Sequence, residues 1–353
     1  MFNRKINFKD EIKSLFIVNK SDRPWHMPLG AGIAMAGPLF VGACFDSMKL
    51  GSIASMAGIL FLYTLKTPLH HRMAYLMACG FGLIVSFVLG GLTHLNPSLT
   101  PLALGLLTMI VTMTVRYYQN DVPGNFFFLM TATIVAFMPF EPSRLIELTG
   151  YFVLGAIWAW LVAFVYSLTT IKFIKPERIQ RVKYRGFDIV IVDSVIIGFF
   201  VGISVLLAQI IGFDRPYWVP ISTLAILQGM TLRSTWTRQI HRISGTAVGI
   251  FLAYFLLRLD LNYYQIAALV GLLGFLIELT VVRNYGVAAI FITPMTIYMA
   301  DMGGVIDGSS VELILARLVD IAFGSFIGFI GGICLHSIKF REVIKKFISI
   351  FYK

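Results

Sequence analysis

The chain has 353 residues, of which 58% are hydrophobic and only 13% charged, about half the charged share of an ordinary soluble domain. So few charges cannot solvate the surface of a water-soluble fold of this size, and lipid is the expected solvent for most of the chain. The net charge of +11 raises nucleic acid as a partner, but the basic residues fall in short gaps between apolar runs and line no single polar face, which argues against it.

Residues 1–25 form a charged cytoplasmic arm with no secretory signal expected ahead of the first apolar run. Within it Phe8, Ile12, Leu15 and Phe16 share one helical face, with Lys9, Asp10 and Lys13 elsewhere. That pattern predicts an interfacial helix on the membrane surface, or a helix docked on a partner. A spanning helix needs about 20 mostly apolar residues. Six such runs are predicted in a first half, 26–168, at 26–45, 50–65, 73–92, 97–115, 124–140 and 145–168. A basic cytoplasmic linker, 169–188, holds Pro176 and Gly186. Six more runs are predicted in a second half, 189–337, at 189–211, 216–232, 241–258, 263–281, 284–303 and 311–337. The runs 50–65 and 216–232 are short. A basic tail, 338–353, sets Phe340, Val343, Ile344 and Phe347 against Lys339, Arg341, Lys345 and Lys346, a second amphipathic helix.

Basic residues test this count, because Lys and Arg accumulate on the cytoplasmic side. All but five of the 29 Lys and Arg residues fall in the N-terminal arm, the even-numbered gaps with their margins, or the tail. The exceptions are Lys49, Arg144, Arg215 and Arg258 in odd gaps, and Arg317 inside the last run. Both termini are therefore expected in the cytoplasm of a multi-pass plasma-membrane protein. The basic stretch "RSTWTRQIHR" (233–242) is then a cytoplasmic gap. The fold class expected is all-α, with about twelve transmembrane helices arranged as two parallel six-helix repeats. "LGAIWAWLVAF" (154–164) and "FGSFIGFIGGI" (323–333) close the two halves, matching Gly155 with Gly324. Arg72 follows one short run as Arg242 follows the other.

Ionisable side chains inside spans are costly, about 2.5–3.5 kcal/mol each on insertion scales, so each needs a reason. Arg317 and Asp320 lie three apart on one helix face. They read either as a self-neutralising pair, or as a guanidinium offered to a carboxylate substrate and oriented by Asp320. Glu278, and with it Asp320, is a candidate proton-coupling carboxylate; pairing or snorkelling is the plainer account of Glu278, and snorkelling that of Asp193. Pro294 leaves the Ile290 carbonyl without its usual donor. With Thr293, Asn284 and Tyr285 it suggests a broken helix lining a cavity, or a plain packing kink. Gly324, Gly328 and Gly332, and likewise Gly245 and Gly249, form bare stripes suited to close helix packing. Tyr217 and Trp218 read as interfacial belt anchors or as an aromatic wall for a ring-bearing substrate. No phosphate-binding loop, nucleophile–base set or metal spacing occurs, so no enzyme activity, cofactor or metal is expected. Adjacent His70 and His71 would point apart on a helix. Cys44, Cys79 and Cys334 read as small apolar fillers.

The stretch "RPYWVPISTLAILQGMTLRSTWTRQIHRISGTAVG" (215–249) resembles the fusaric-acid-resistance and aromatic-acid-exporter family. The matching elements are Tyr217-Trp218 opening a span, a basic gap, and Arg242 ahead of Gly245-Thr246 and Gly249. "RNYGVAAIFITP" (283–294) and "ARLVDIAFGSFIG" (316–328) are similar to it as well. The resemblance is strong over the second half and reaches the first by repeat. It implies an inner-membrane exporter of weak organic acids, typically aromatic carboxylates. Related plant malate channels dimerise six-span units around a pore, which two halves in one chain would mimic. Larger members carry a sizeable soluble region, where this chain has the 169–188 linker and its tail.

The expected function is thus secondary, proton-motive-force-driven export of weak organic anions. A passive organic-anion channel and a non-transport scaffold for envelope biogenesis are the alternatives. The expected partners are a small organic anion, the lipid bilayer and a second copy in a homo-oligomer. The expected pathway residues are Arg238, Arg242, Trp218, Tyr285, Thr293, Pro294 and Arg317, with Arg233 and Arg72 as a cytoplasmic gate.

Overall fold

The computed structural model describes residues 19–20, 24–118, 123–170, 173, 175–179, 187–229, 231–302 and 310–349. Every regular element among them is helical. The helices are α1 (His26–Cys44), α2 (Met48–Met56, continued by a 3-10 segment Ala57–Tyr63), α3 (Leu69–Leu92), α4 (Thr100–Tyr117), α5 (Phe126–Phe137) and α6 (Leu145–Thr170). They continue as α7 (Phe187–Ile211), α8 (Trp218–Leu227), α9 (Leu232–Leu257), α10 (Tyr263–Val281), α11 (Tyr285–Met302), α12 (Ser310–His336) and α13 (Ile338–Ser349). A helix thus lies in each predicted run. The N-terminal amphipathic segment and half of the linker fall outside the described residues.

Eight of these helices (α1, α3, α4, α6, α7, α9, α10 and α12) are long and apolar enough to cross a bilayer. The chain is an all-helical, multi-pass membrane protein. The four short ones, α2, α5, α8 and α11, come at every third place in the order. Their length has a physical counterpart in their surroundings. Outer helices carry exposed apolar stripes, such as Leu154, Leu161 and Val165 on α6 and Val248, Phe251 and Phe255 on α9. All ten residues of α8 are buried. A helix surrounded by protein has no hydrocarbon thickness to match, and irregular backbone near it finds partners there.

Helix ends follow from local chemistry. Thr231 Oγ1 accepts from the Ser234 N–H at 3.1 Å, and Ser234 Oγ accepts from the Thr231 N–H at 2.9 Å. This reciprocal box starts α9 well before the apolar run beginning at 241. Asn262 and Gln265 start α10 in the same way.

Packing follows one plan in both halves. Helix α3 packs on α5 as α9 packs on α11, and α6 packs on α2 as α12 packs on α8. Across the halves, α4 packs on α7 as α10 packs on α1, and α5 touches α8 as α11 touches α2. Moving each helix six places along the order, and returning from α12 to α1, converts one contact into its counterpart.

Close approach is set by glycine. A Cβ on Gly328 would stand 2.7 Å from the Thr223 carbonyl oxygen, and one on Gly249 2.6 Å from that of Ile290. Gly324 faces the Val219 carbonyl, Gly245 that of Gly286, and Gly332 the Thr235 side chain. In the first half Gly155 faces the Ala54 carbonyl as Gly324 faces Val219. Overpacking costs about 1–3 kcal/mol even for a methylene, more against fixed backbone. Gly324→Leu is therefore expected to cut the monodisperse fraction in size-exclusion chromatography several-fold. A normal profile would show that α8 and α12 can separate without penalty.

Asp193 corrects the snorkelling expectation. It is 6% exposed and accepts from both Arg116 of α4 and Arg341 of α13. The tail helix is thereby fastened to the bundle. Phe340 and Ile344 pack on the α4–α7 core, while Val343 stays exposed.

Candidate functional site

The polar interior of the second half is built from α8, α9, α11 and α12. Helix α8 supplies Trp218 and Ser222 on successive turns. Trp218 is only 5% exposed. It is walled by protein and does not sit at a lipid interface, so the belt-anchor reading does not hold. The Arg317 guanidinium lies 4.0 Å from the centre of its ring. In a desolvated setting such a cation–π contact is worth about 2 kcal/mol. Arg317 Nη1 donates to the Thr293 carbonyl at 3.2 Å, on the turn that Pro294 interrupts.

Arg242 lies eleven residues into α9 and is 5% exposed. Its Nε donates to Ser222 Oγ at 3.1 Å and its Nη1 to the Tyr285 hydroxyl at 2.7 Å. Arg238, one turn earlier, donates weakly to Gln228 Oε1 at 3.5 Å and stands 5.8 Å from the Tyr285 ring. Arg317 lies within electrostatic reach of Arg242, Tyr217 and Asp320.

Arg317 and Asp320 lie within electrostatic reach of each other but make no hydrogen bond or close ion pair among the described residues. Arg317 Nε and Asp320 Oδ2 are both buried without a hydrogen-bond partner. Asp320 is 1% exposed, with Asp214 and Arg215 of the α7–α8 loop as its other charged neighbours. A guanidinium has five N–H donors, and Arg317 uses one. Two buried arginines with spare N–H donors offer charge-assisted hydrogen bonds to an anion.

The remaining predicted residues are placed less tightly. Thr293 is buried and its hydroxyl donates to Ala289. Pro294 does not break α11, which runs on from Tyr285 to Met302. One lost backbone bond is tolerated there because α9 packs against the same turns through Gly245 and Gly249. Arg233 is exposed at the start of α9. Arg72 lies at the start of α3, donating to Ser167 Oγ at 2.9 Å and to the Thr67 carbonyl at 3.0 Å. Arg72 and Arg242 therefore do not occupy equivalent places in the two halves. Glu278 is buried on α10, which packs on α1 and α11. Sequence reasoning missed Ser222 and Gln228. The signal available was the polar Ser222-Thr223 pair inside an otherwise apolar run.

A cavity of about 110 Å³ lies where helices of both halves meet. All four short helices line it, α2 with Ser52, Ile53, Ser55 and Met56, α5 with Met130 and Ile134, α8 with Trp218, and α11 with Met295, Thr296 and Met299. Met35 of α1, Val270 of α10, Met138 and Tyr217 complete much of the wall. Trp218 thus borders the cavity and carries Arg317 over its ring. Among the described residues no cluster of metal-ligating side chains occurs.

Residues 203–331 match the family described as fusaric acid resistance protein-like. An uncharacterized membrane protein, YvaC of Bacillus subtilis (strain 168), is 36% identical over 126 residues. That stretch is 35% of this chain and 20% of YvaC, so the chain matches only a fifth of its relative's length. No solved structure matches.

Proposed function

We propose that this chain, whose residues 203–331 match the fusaric acid resistance-like family, is a secondary exporter of weak organic anions in the cell membrane. The observation that carries the reading is the buried arginines Arg242 and Arg317, of whose five N–H donors the first uses two and the second one. A guanidinium fork matches a carboxylate in shape and charge. Arg238 and Tyr285 extend the arginines toward the basic stretch 233–242, read as the cytoplasmic mouth. Thr293, Pro294 and Trp218 continue the path inward.

Twelve crossings in two parallel repeats accord with the six-apart packing plan, with both termini in the cytoplasm as the charge pattern favours. The repeat is unequal in chemistry. The first-half positions aligned with Arg317 and Asp320 through Gly155 and Gly324 are Leu148 and Tyr151. One charged path per chain follows. Export needs a driving ion, and Asp320, buried beside Arg317, is the candidate proton carrier, with Glu278 the second.

The test uses the purified chain in liposomes with a panel of labelled aromatic carboxylates and an imposed proton gradient. Uphill accumulation that collapses with a protonophore is expected, and Arg238→Gln with Arg242→Gln should lower the rate at least tenfold. Flux that never exceeds its gradient would make the protein a channel. Absence of flux for every acid would sink the transport reading and leave the scaffold alternative.

A further inference from the structure

We infer that the outward face of α13 is a docking surface for anionic phospholipid headgroups, which hold the tail helix against the membrane at the seam between the two halves. The inference goes beyond the export reading and is independent of it. The placement of the termini supplies only the name of the leaflet, the cytoplasmic one.

Helix α13 has two faces of different chemistry. Phe340 and Ile344 turn inward onto the α4–α7 core, and Arg341 turns inward to Asp193 and to the Leu335 carbonyl at 3.1 Å. The exposed face carries Lys339, Lys345 and Lys346, with Glu342 the one acid among its described side chains. It also carries Ile338 and Val343, 74% and 64% exposed. Lysines set around apolar side chains suit a lipid surface. The ammonium groups reach phosphates while the lysine stems and the apolar residues enter the acyl boundary.

Depth favours lipid over a soluble acidic partner. Asp193 stands six residues after Phe187, the first of α7, which is about 9 Å along the helix axis. Arg116 is next to Tyr117, the last residue of α4. These two residues fix Arg341 beside the ends of spanning helices and not beyond them. Tyr117 and Tyr118, 43% and 56% exposed, mark the same level, since tyrosines gather where hydrocarbon meets headgroups. Both helices belong to the lipid-facing perimeter: Leu106 and Ile110 on α4, and Ile189 and Phe199 on α7, are exposed. At that depth and on that perimeter the neighbour of an outward-facing side chain is lipid.

The position has a structural consequence. A Cβ on Gly198 of α7 would stand 2.7 Å from the Gly105 carbonyl oxygen of α4, so the halves meet there backbone to backbone. The Asp193 clamp takes Arg116 from one half and its carboxylate from the other. Headgroups bound on α13 therefore brace this junction from outside.

The experiment follows amide hydrogen exchange over 338–349 in the full chain, in nanodiscs of phosphatidylcholine and in nanodiscs of equal parts phosphatidylcholine and phosphatidylglycerol. A lysine near an anionic surface contributes roughly fivefold in affinity, so exchange is expected to slow at least tenfold with the anionic lipid. The slowing should vanish at about 1 M salt, where screening acts within ~3 Å. It should vanish as well when Lys339→Gln, Lys345→Gln and Lys346→Gln are combined. That variant should melt like the unaltered chain in phosphatidylcholine, because the three side chains are exposed. Glu342→Gln should deepen the slowing. Equal exchange in the two lipids would overturn the inference. So would slowing that survives the triple variant, which would place the lipid elsewhere, or protection by inorganic phosphate in phosphatidylcholine nanodiscs, which would make the site one for a free anion. Protection by added polyglutamate and none by phosphatidylglycerol would assign the face to an acidic protein instead. Acid transport does not enter the readout, so failure here leaves export standing.

Discussion

Arg317→Met is expected to abolish carboxylate transport, by at least a hundredfold, without lowering the melting temperature of the purified protein. Arg317 is 3% exposed, makes one hydrogen bond, and has no close ion pair with Asp320. A buried charge without a close ion pair carries a desolvation penalty of several kcal/mol, which an apolar side chain of similar size does not carry. The lost cation–π contact with Trp218 offsets about 2 kcal/mol of that gain. Stability therefore stays level or rises while anion affinity disappears. A structural arginine would behave in the opposite way. A drop in melting temperature with residual transport would show that the side chain holds α12 to α8 and α11 and does nothing for substrate. Adding Asp320→Leu to the same variant should hold or raise the melting temperature further, since that carboxylate is buried with Oδ2 unpartnered.

Asp193→Ala is expected to release the C-terminal helix. The carboxylate binds Arg116 and Arg341 together, with its own side chain 9% exposed and the arginines 33% and 28% exposed. Removing the shared acceptor leaves two like charges facing each other. Breaking a fully buried pair costs about 3–5 kcal/mol; the partly wet arginines bring this toward the lower end. Trypsin cleavage within 338–349 should then accelerate at least tenfold, since more of the hold on α13 would fall to the apolar contacts of Phe340 and Ile344. Unchanged cleavage would show that the apolar contact is sufficient.

Much of the helix pattern was readable from hydropathy and charge alternation. The predicted runs each contain a helix, and long helices such as α10 coincide with their run at 263–281. Starts set by caps were harder to read: α9 begins at Leu232, nine residues ahead of its apolar run, because Thr231 and Ser234 cap it. The resemblance on 215–249 directed attention to Trp218 and Arg242, and the structure joins Arg242 to Tyr285. What the linear pattern could not convey was partnership. Arg317 and Asp320 three apart on a helix suggested a pair, yet Arg317 turns instead to Trp218 and Thr293 on other helices. Asp193 appeared alone in sequence because its partners lie 77 and 148 residues away. The cavity was invisible for the same reason, being assembled from helices of both halves.

The short helices also constrain how the chain is made. As α8 emerges from the ribosome it is ten residues of hydrophobic helix, well under the length that lipid alone retains. Its packing partner is α12: the Thr223 hydroxyl donates to the Gly324 carbonyl at 2.9 Å, across 101 residues of sequence. Until those residues have been synthesised, α8 has neither a full span nor its neighbour, and α2 waits in the same way for α6. Synthesis must therefore pass through intermediates that hold a half-inserted segment beside the translocon. Stop codons placed before Gly324 should yield chains whose second half is cleared by quality control, whereas chains ending soon after α6 already hold a completed first half.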